Sequence, residues 1–292
     1  MLFLSQLING LQLGSIYALV ALGYSMVYGI IMLLNFAHGD IIMVGGYIAL
    51  FALIAAFPPA IAILLAVVGC VLLSVVIEKM AYKPLRSAPR ISLLITSIGV
   101  SMLLQNLAQY FFSANGRSFP STLILPSGSV SLGGLSVSYT AIVTILVSVV
   151  SMLFLTFLVQ KTKMGKAMRA VSEDMDAAQL MGINVSNTIS FTFAVGAALA
   201  GIGSILYCCR YPLVSPTIGS LLGLKAFVAA VLGGIGSIPG AMIGGFAIGL
   251  AEVLVTALGL STWTDGVVFA ILIIVLVVRP TGILGRSLIE KV

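Results

Sequence analysis

Charge is what this sequence has least of. Its 292 residues include 14 Lys and Arg and 8 Asp and Glu, while 60% are hydrophobic; an ordinary globular domain carries roughly a quarter of its residues charged. Such a supply cannot clothe a soluble surface, so a bilayer is the expected solvent. Histidine occurs once, as His38, which excludes a His-rich metal centre and leaves no Ser/His/Asp set to assemble. The three cysteines, Cys70, Cys208 and Cys209, lie in or beside apolar runs without metal-ligand spacing, and read as small core residues rather than a disulfide framework. A Gly-x4-Gly-Lys-Ser/Thr loop is missing, so the chain has no cradle of its own for ATP phosphates. The glycine-rich stretch Gly233–Gly240 lacks a preceding strand and full dinucleotide spacing. Period-two alternation is absent, which excludes a membrane barrel.

What is there is a series of long apolar runs. Each crossing of the hydrocarbon core takes about 20 apolar residues as a helix, and the chain has room for about 8–10. The expected fold is all-α and polytopic, one transmembrane domain over residues 1–292 with re-entrant or broken segments. Met1 to Leu4 lack a basic region of the signal-peptide kind, so the first run is expected to be retained. That run, 2–34, is either one tilted helix or a re-entrant piece followed by a span; Gly10 and Gly14 give it a face that another helix can approach. Further runs cover 41–57, 61–77, 91–112, 139–159, 188–209, 221–232, 241–258 and 265–278. Small residues recur at Gly196, Ala197, Ala200, Gly201 and Gly203, and again at Gly236, Gly240, Gly244, Gly245 and Gly249.

The cations gather near span ends, without a stripe interleaved with aromatics; they read as orientation signals, not as a nucleic-acid surface. Glu78, Lys79, Lys83, Arg86 and Arg90 form a loop that Pro84 and Pro89 keep from being helical. Residues 113–138 form the outer loop. Arg279, Arg286 and Lys291 place the C-terminus in the cytoplasm.

The one long polar interruption is 160–187. Four cations, Lys161, Lys163, Lys166 and Arg169, precede three carboxylates, Glu173, Asp174 and Asp176. Val171, Met175, Ala178 and Met181 share one helical face, with Ser172 as the expected cap and Gly182 as the stop. A short amphipathic cytoplasmic helix, able to dock into a partner's groove, is the expectation.

Other residues are candidates for chemistry inside the membrane. Asn35, Phe36, Ala37, His38, Gly39 and Asp40 interrupt two apolar runs, either as a surface loop with a solvated histidine or as a break lining a path. Gln105, Asn106 and Gln109 read as interhelix hydrogen-bonding amides. Glu252 is an intramembrane carboxylate and hence a functional candidate; the alternatives are that it pairs with a partner subunit or reaches the outer interface.

Asp176, Ala177, Ala178 and Gly182 resemble the EAA loop of ATP-binding cassette importer permeases, with Asp in the Glu position and without the later Leu-Pro. The likeness extends along the chain through Asn35–Gly39, Tyr82–Arg86, Met164–Gly165, Arg169–Ala170, Leu180–Asn184, Lys225–Ala241 and Pro280–Gly285. Together these are similar to the bacterial high-affinity branched-chain amino acid permeases, H-type subunit. The resemblance implies an importer permease fold and an inner-membrane transport subunit for leucine, isoleucine and valine. It implies a chain that is not an enzyme and holds no cofactor, ATP being bound by partners. The implied partners are a second, related permease subunit in a heterodimer, two cytoplasmic ATPase subunits on the 160–187 loop and a periplasmic amino-acid-binding protein, with membrane lipid around them. Gly165, Arg169, Asp176, Ala177, Ala178 and Gly182 would couple to the ATPase. Asn35, Phe36, His38, Gly39 and Glu252 would line the path. The competing class is an ion-coupled secondary transporter, with His38, Asp40 or Glu252 holding the ion.

Overall fold

The computed structural model describes residues 2–32, 34–86, 88–132 and 135–285. Arg286 and Lys291, two of the three cations expected to hold the C-terminus, lie outside them.

The first run is one helix, α1 (Leu2–Ile31), with no re-entrant piece. Its 30 residues reach about 45 Å, well beyond the roughly 30 Å hydrocarbon core. It is also the central helix, since 83% of its apolar window is buried. Glycine explains how. A Cβ on Gly14 would lie 2.7 Å from Phe246 Cα, and one on Gly245 would lie 2.5 Å from Ala18 Cα. The two small-residue faces read from sequence thus meet each other, α1 against α10 (Ile238–Ala257), at a spacing that any side chain would forbid. Behind α1 runs α8 (Val185–Arg210), and α3 (Pro59–Ile77) packs on α8 where a side chain on Gly201 would strike Val67 Cα.

Outside this core stand α4 (Arg90–Phe112), α5 (Tyr139–Lys161) and α11 (Thr264–Val278). Seven helices are long and apolar enough to cross a membrane, and two shorter apolar ones, α2 (His38–Ile54) and α9 (Ile218–Gly233), complete the set among the described residues. With 17 and 16 residues, these two reach only about 25 Å. Neither spans the core alone. Their first turns pack on each other: a Cβ on Gly39 would lie 3.0 Å from Gly223 Cα, and one on Gly219 would lie 2.9 Å from Asp40 Cα.

Two polar stretches differ from expectation. The cluster at 78–90 is not a plain loop, because α3 continues as a π-turn over Glu78–Tyr82 and a 3-10 turn over Lys83–Leu85. Glu78 is fully buried, paired with Arg86 and accepting a 2.6 Å hydrogen bond from Ser190 Oγ. Pairing inside the fold is what lets that carboxylate leave water. The segment 113–138, expected to be the outer loop, holds a hairpin of β2 (Ser129–Leu132) and β3 (Leu135–Ser138), and β1 (Arg117–Ser118) pairs with β4 (Leu213–Val214), so it is tied to the segment after α8.

Candidate functional site

The polar segment folds as two helices, α6 (Lys163–Glu173) and α7 (Met175–Leu180). Thr162 caps α6, its Oγ1 accepting the Gly165 N–H at 3.0 Å. Gly165 is buried against the end of α5, where a Cβ would strike the carbonyls of Leu158 and Val159. Arg169 lies across the same end and donates to the Val159 and Gln160 carbonyls at 3.0 and 3.3 Å, satisfying groups that a helix terminus leaves unpaired. Both residues therefore fix α6 to α5.

The expected Ser172 cap is not formed. Ser172 donates instead to the Arg169 carbonyl, and the chain breaks at Asp174 (φ −158°, ψ 113°). Asp174 Oδ1 accepts the N–H groups of Asp176 and Ala177, both at 2.9 Å. Two carboxylates and a serine in succession offer alternative caps, and the one at the extended residue is used. The expected apolar face is also split by this break. Val171 and Ala178 are buried, while Met175 and Met181 are exposed.

The end of α7 is a Schellman turn: Ile183 N–H donates to the Ala178 carbonyl and Gly182 N–H to that of Gln179, each at 3.0 Å. Gly182 holds φ +81° with no atom within 4 Å of its Cβ position. Backbone conformation, not crowding, asks for glycine there. Asp176 and Ala177 are exposed, and the two large apolar residues before Gly182 stand out, Leu180 at 89% and Met181 at 83% exposure. Met181 belongs to the apolar face expected from sequence, whereas Leu180 was not among the expected coupling residues; two bulky apolar residues at the tip of an otherwise polar segment were the signal.

The second region is the break before α2. His38 is 2% and Asp40 0% exposed, so the solvated-histidine alternative is overturned. The ring of His38 lies between Gly23 of α1 and Gly196 of α8, positions well inside both helices, and meets Tyr24 edge-on at 4.8 Å. Its Nε2 and Asp40 Oδ2 are buried without partners among the described residues. Asp40 Oδ1 accepts from Gln105 Nε2 at 3.0 Å. Asn35 Oδ1 accepts from Tyr82 Oη at 2.6 Å, tying the break to the π-turn. Phe227 of α9 faces both Tyr24 and Phe36, at 6.2 and 5.9 Å. Gly39 supplies the crossing with α9. Asn35, Phe36, His38 and Gly39 are thus brought together beneath an aromatic cover.

Glu252 is elsewhere. It pairs with Lys225 at 2.8 Å and accepts from Tyr17 Oη at 2.7 Å, and Lys225 also reaches Asp265 at 2.7 Å. The cluster bolts α1, α9, α10 and α11 within this chain. Neither a partner subunit nor the outer interface is needed to account for the carboxylate. Lys225 was not expected to answer it, although a single cation seven residues into an apolar helix marked the position.

Seven helices long and apolar enough to cross a membrane, with a break before the short α2 and a two-helix polar segment between spans, define a polytopic membrane protein. The chain belongs to the family described as branched-chain amino acid transport system, permease component, which matches residues 6–277. It is 43% identical, over 99% of this chain and 98% of the relative, to the high-affinity branched-chain amino acid transport system permease protein BraD of Pseudomonas aeruginosa. It is likewise 43% identical, over 99% and 98%, to the protein LivH of that description in Escherichia coli K12. The probable LivH permease protein of Methanocaldococcus jannaschii is 31% identical over 93% of this chain and 89% of its own length.

Proposed function

We propose that this chain is the membrane subunit of an ATP-binding cassette importer that carries branched-chain aliphatic amino acids across the bacterial inner membrane. Leu180 and Met181, presented on the capped α7, carry the reading. Leaving two large apolar side chains in water is unfavourable by roughly 1.5–3 kcal/mol each relative to burial, and a groove on an ATPase subunit removes that cost. ATP is bound by two such subunits, in the cytoplasm with α6–α7 and the C-terminus; a second, related permease and a periplasmic binding protein complete the assembly. Gly165 and Arg169 hold the handle on α5, while Asp176, Ala177, Ala178 and Gly182 shape it.

Coupling requires that ATPase contact differ between two states of the body. The handle is continuous with the break. Met175, Glu78 and Tyr82 line one cleft with Ile31 and Phe193, and Tyr82 holds Asn35. Tilting α6–α7 would move the π-turn and open the path at Asn35, Phe36, His38 and Gly39. Aromatic rings there suit an aliphatic side chain, and the free His38 Nε2 and Asp40 Oδ2 suit its charged end. Glu252 stands outside this path, as part of the Lys225 cluster. The ion-coupled alternative draws no support from the relatives of this chain, which are named as permease proteins of branched-chain amino acid transport systems.

Uptake by the complete assembly in proteoliposomes tests this. Leucine, isoleucine or valine should enter only with ATP and binding protein, and Leu180→Asp with Met181→Asp should abolish uptake while the chain still inserts. Uptake that follows an ion gradient without any ATPase would overturn the reading.

A further inference from the structure

Among the poorly buried spans, α4 has the wrong composition for lipid. Only 11% of its apolar window is buried, yet its mean hydropathy is 1.7. The other peripheral windows, on α3, α5 and α11, are 28%, 22% and 6% buried with hydropathies of 3.1, 2.8 and 2.2. The value for α4 instead matches the interior helices α1, α8 and α10, at 1.6, 1.9 and 1.8. A helix with core composition and a bare surface is a core helix whose neighbour is another chain.

The polar atoms say the same. Gly99, Met102, Asn106 and Gln109 recur at three- and four-residue spacing on one outward face, all exposed. Asn106 Nδ2 reaches only the carbonyl of Met102 in its own helix, and among the described residues the Gln109 side chain has no partner. The expectation of three interhelix amides thus holds within the chain for Gln105 alone. Asn106 lies six residues before the end of α4, about 9 Å at the usual rise per residue, while Gln109 is in the last turn. Gln105, next to Asn106, reaches Asp40 in the first turn of α2. An amide left without a partner inside the hydrocarbon is costly. Gly99 has nothing within 4 Å of its Cβ position, leaving room for close approach by a helix.

We propose that the Gly99–Met102–Asn106–Gln109 face of α4 is the contact surface for the second permease subunit, which supplies a transmembrane helix with polar side chains to meet the amides. This rests on the importer reading above, in which that subunit is the one other membrane-embedded component; the ATPases and the binding protein lie on either side of the bilayer. Because Gln105 on the inner side of α4 holds Asp40, α4 separates the break from the partner, and the transport path runs beside the subunit interface.

Photo-crosslinking in the complete importer in nanodiscs tests it, with p-benzoylphenylalanine at position 102 or 106, and at positions 146 and 154 of α5 as lipid-facing references. Positions 102 and 106 should join to a second permease chain identified by peptide mass, and 146 and 154 to lipid only. Asn106→Leu with Gln109→Leu should insert normally and lower the partner retained after detergent dilution roughly tenfold, from two interhelical hydrogen bonds of the usual membrane strength. Lipid adducts alone at 102 and 106, adducts to a second copy of this chain, or undiminished partner retention would each overturn the assignment. If a second permease and ATPase co-purify but α4 labels only lipid, the importer reading stands and this inference falls. If neither co-purifies, both fall.

Discussion

At the scale of single residues, charge inside the bundle is tolerated only where it is answered. Lys225 is 6% exposed and lies between the largely buried Glu252 and the half-exposed Asp265, so its removal would leave the Glu252 carboxylate without its cation. Lys225→Met is expected to destabilise the protein by about 3–5 kcal/mol, the usual result of breaking a buried pair from one side. Adding Glu252→Gln should recover part of this, and thermal unfolding in detergent would show it; equal midpoints for the single and double variants would contradict the pairing. Gly182 offers the opposite case, a residue chosen for backbone alone. Gly182→Ala should cost roughly 1 kcal/mol from the left-handed conformation, and Gly182→Asn less. The open space around it means that bulk by itself adds no clash within the chain. Transport lost in Gly182→Trp, with normal insertion, would therefore report an external surface pressed against that spot.

At the scale of elements, α6 and α7 transmit movement only if they are fixed to the spans. Gly165 achieves this by letting α6 lie on the last carbonyls of α5. Gly165→Leu should lift α6 away and abolish binding-protein-stimulated ATPase activity in the assembly, although Leu180 and Met181 are untouched. Retained stimulation would show that the handle is held from elsewhere. The element boundaries were only partly legible. Polarity placed the segment 160–187 and glycine placed its end, but Ser172, Glu173 and Asp174 are all competent caps in a row. Which of them breaks the helix depends on Val171 and Ala178 both reaching the core. The same limit applies at 78–90, where Pro84 was expected to keep the segment from being helical, yet a π-turn and a 3-10 turn carry helical backbone through Leu85.

At the scale of the whole molecule, close approach of α1 to α10 sets the architecture. Gly245→Leu should be more damaging than a substitution of similar size on the outside of α5, with loss of folded protein rather than loss of coupling. Monodispersity in detergent distinguishes the two outcomes; a well-folded variant would mean that α1 and α10 can separate. The small-residue faces were visible in sequence because their four-residue spacing is helical. Their pairing was not, because spacing identifies a face and not its neighbour.

Composition and order along the chain were enough to specify the solvent, the helical class, the single wet interruption and the family, since each of these is a local or linear property. Folding in three dimensions was needed to bury His38, to bring Lys225 to Glu252, and to join α2 and α9 at their first turns. Those facts link residues far apart in the chain. In a membrane, where nearly every residue is apolar, polarity patterns say which stretches leave the bilayer but not which of the remaining surfaces touch.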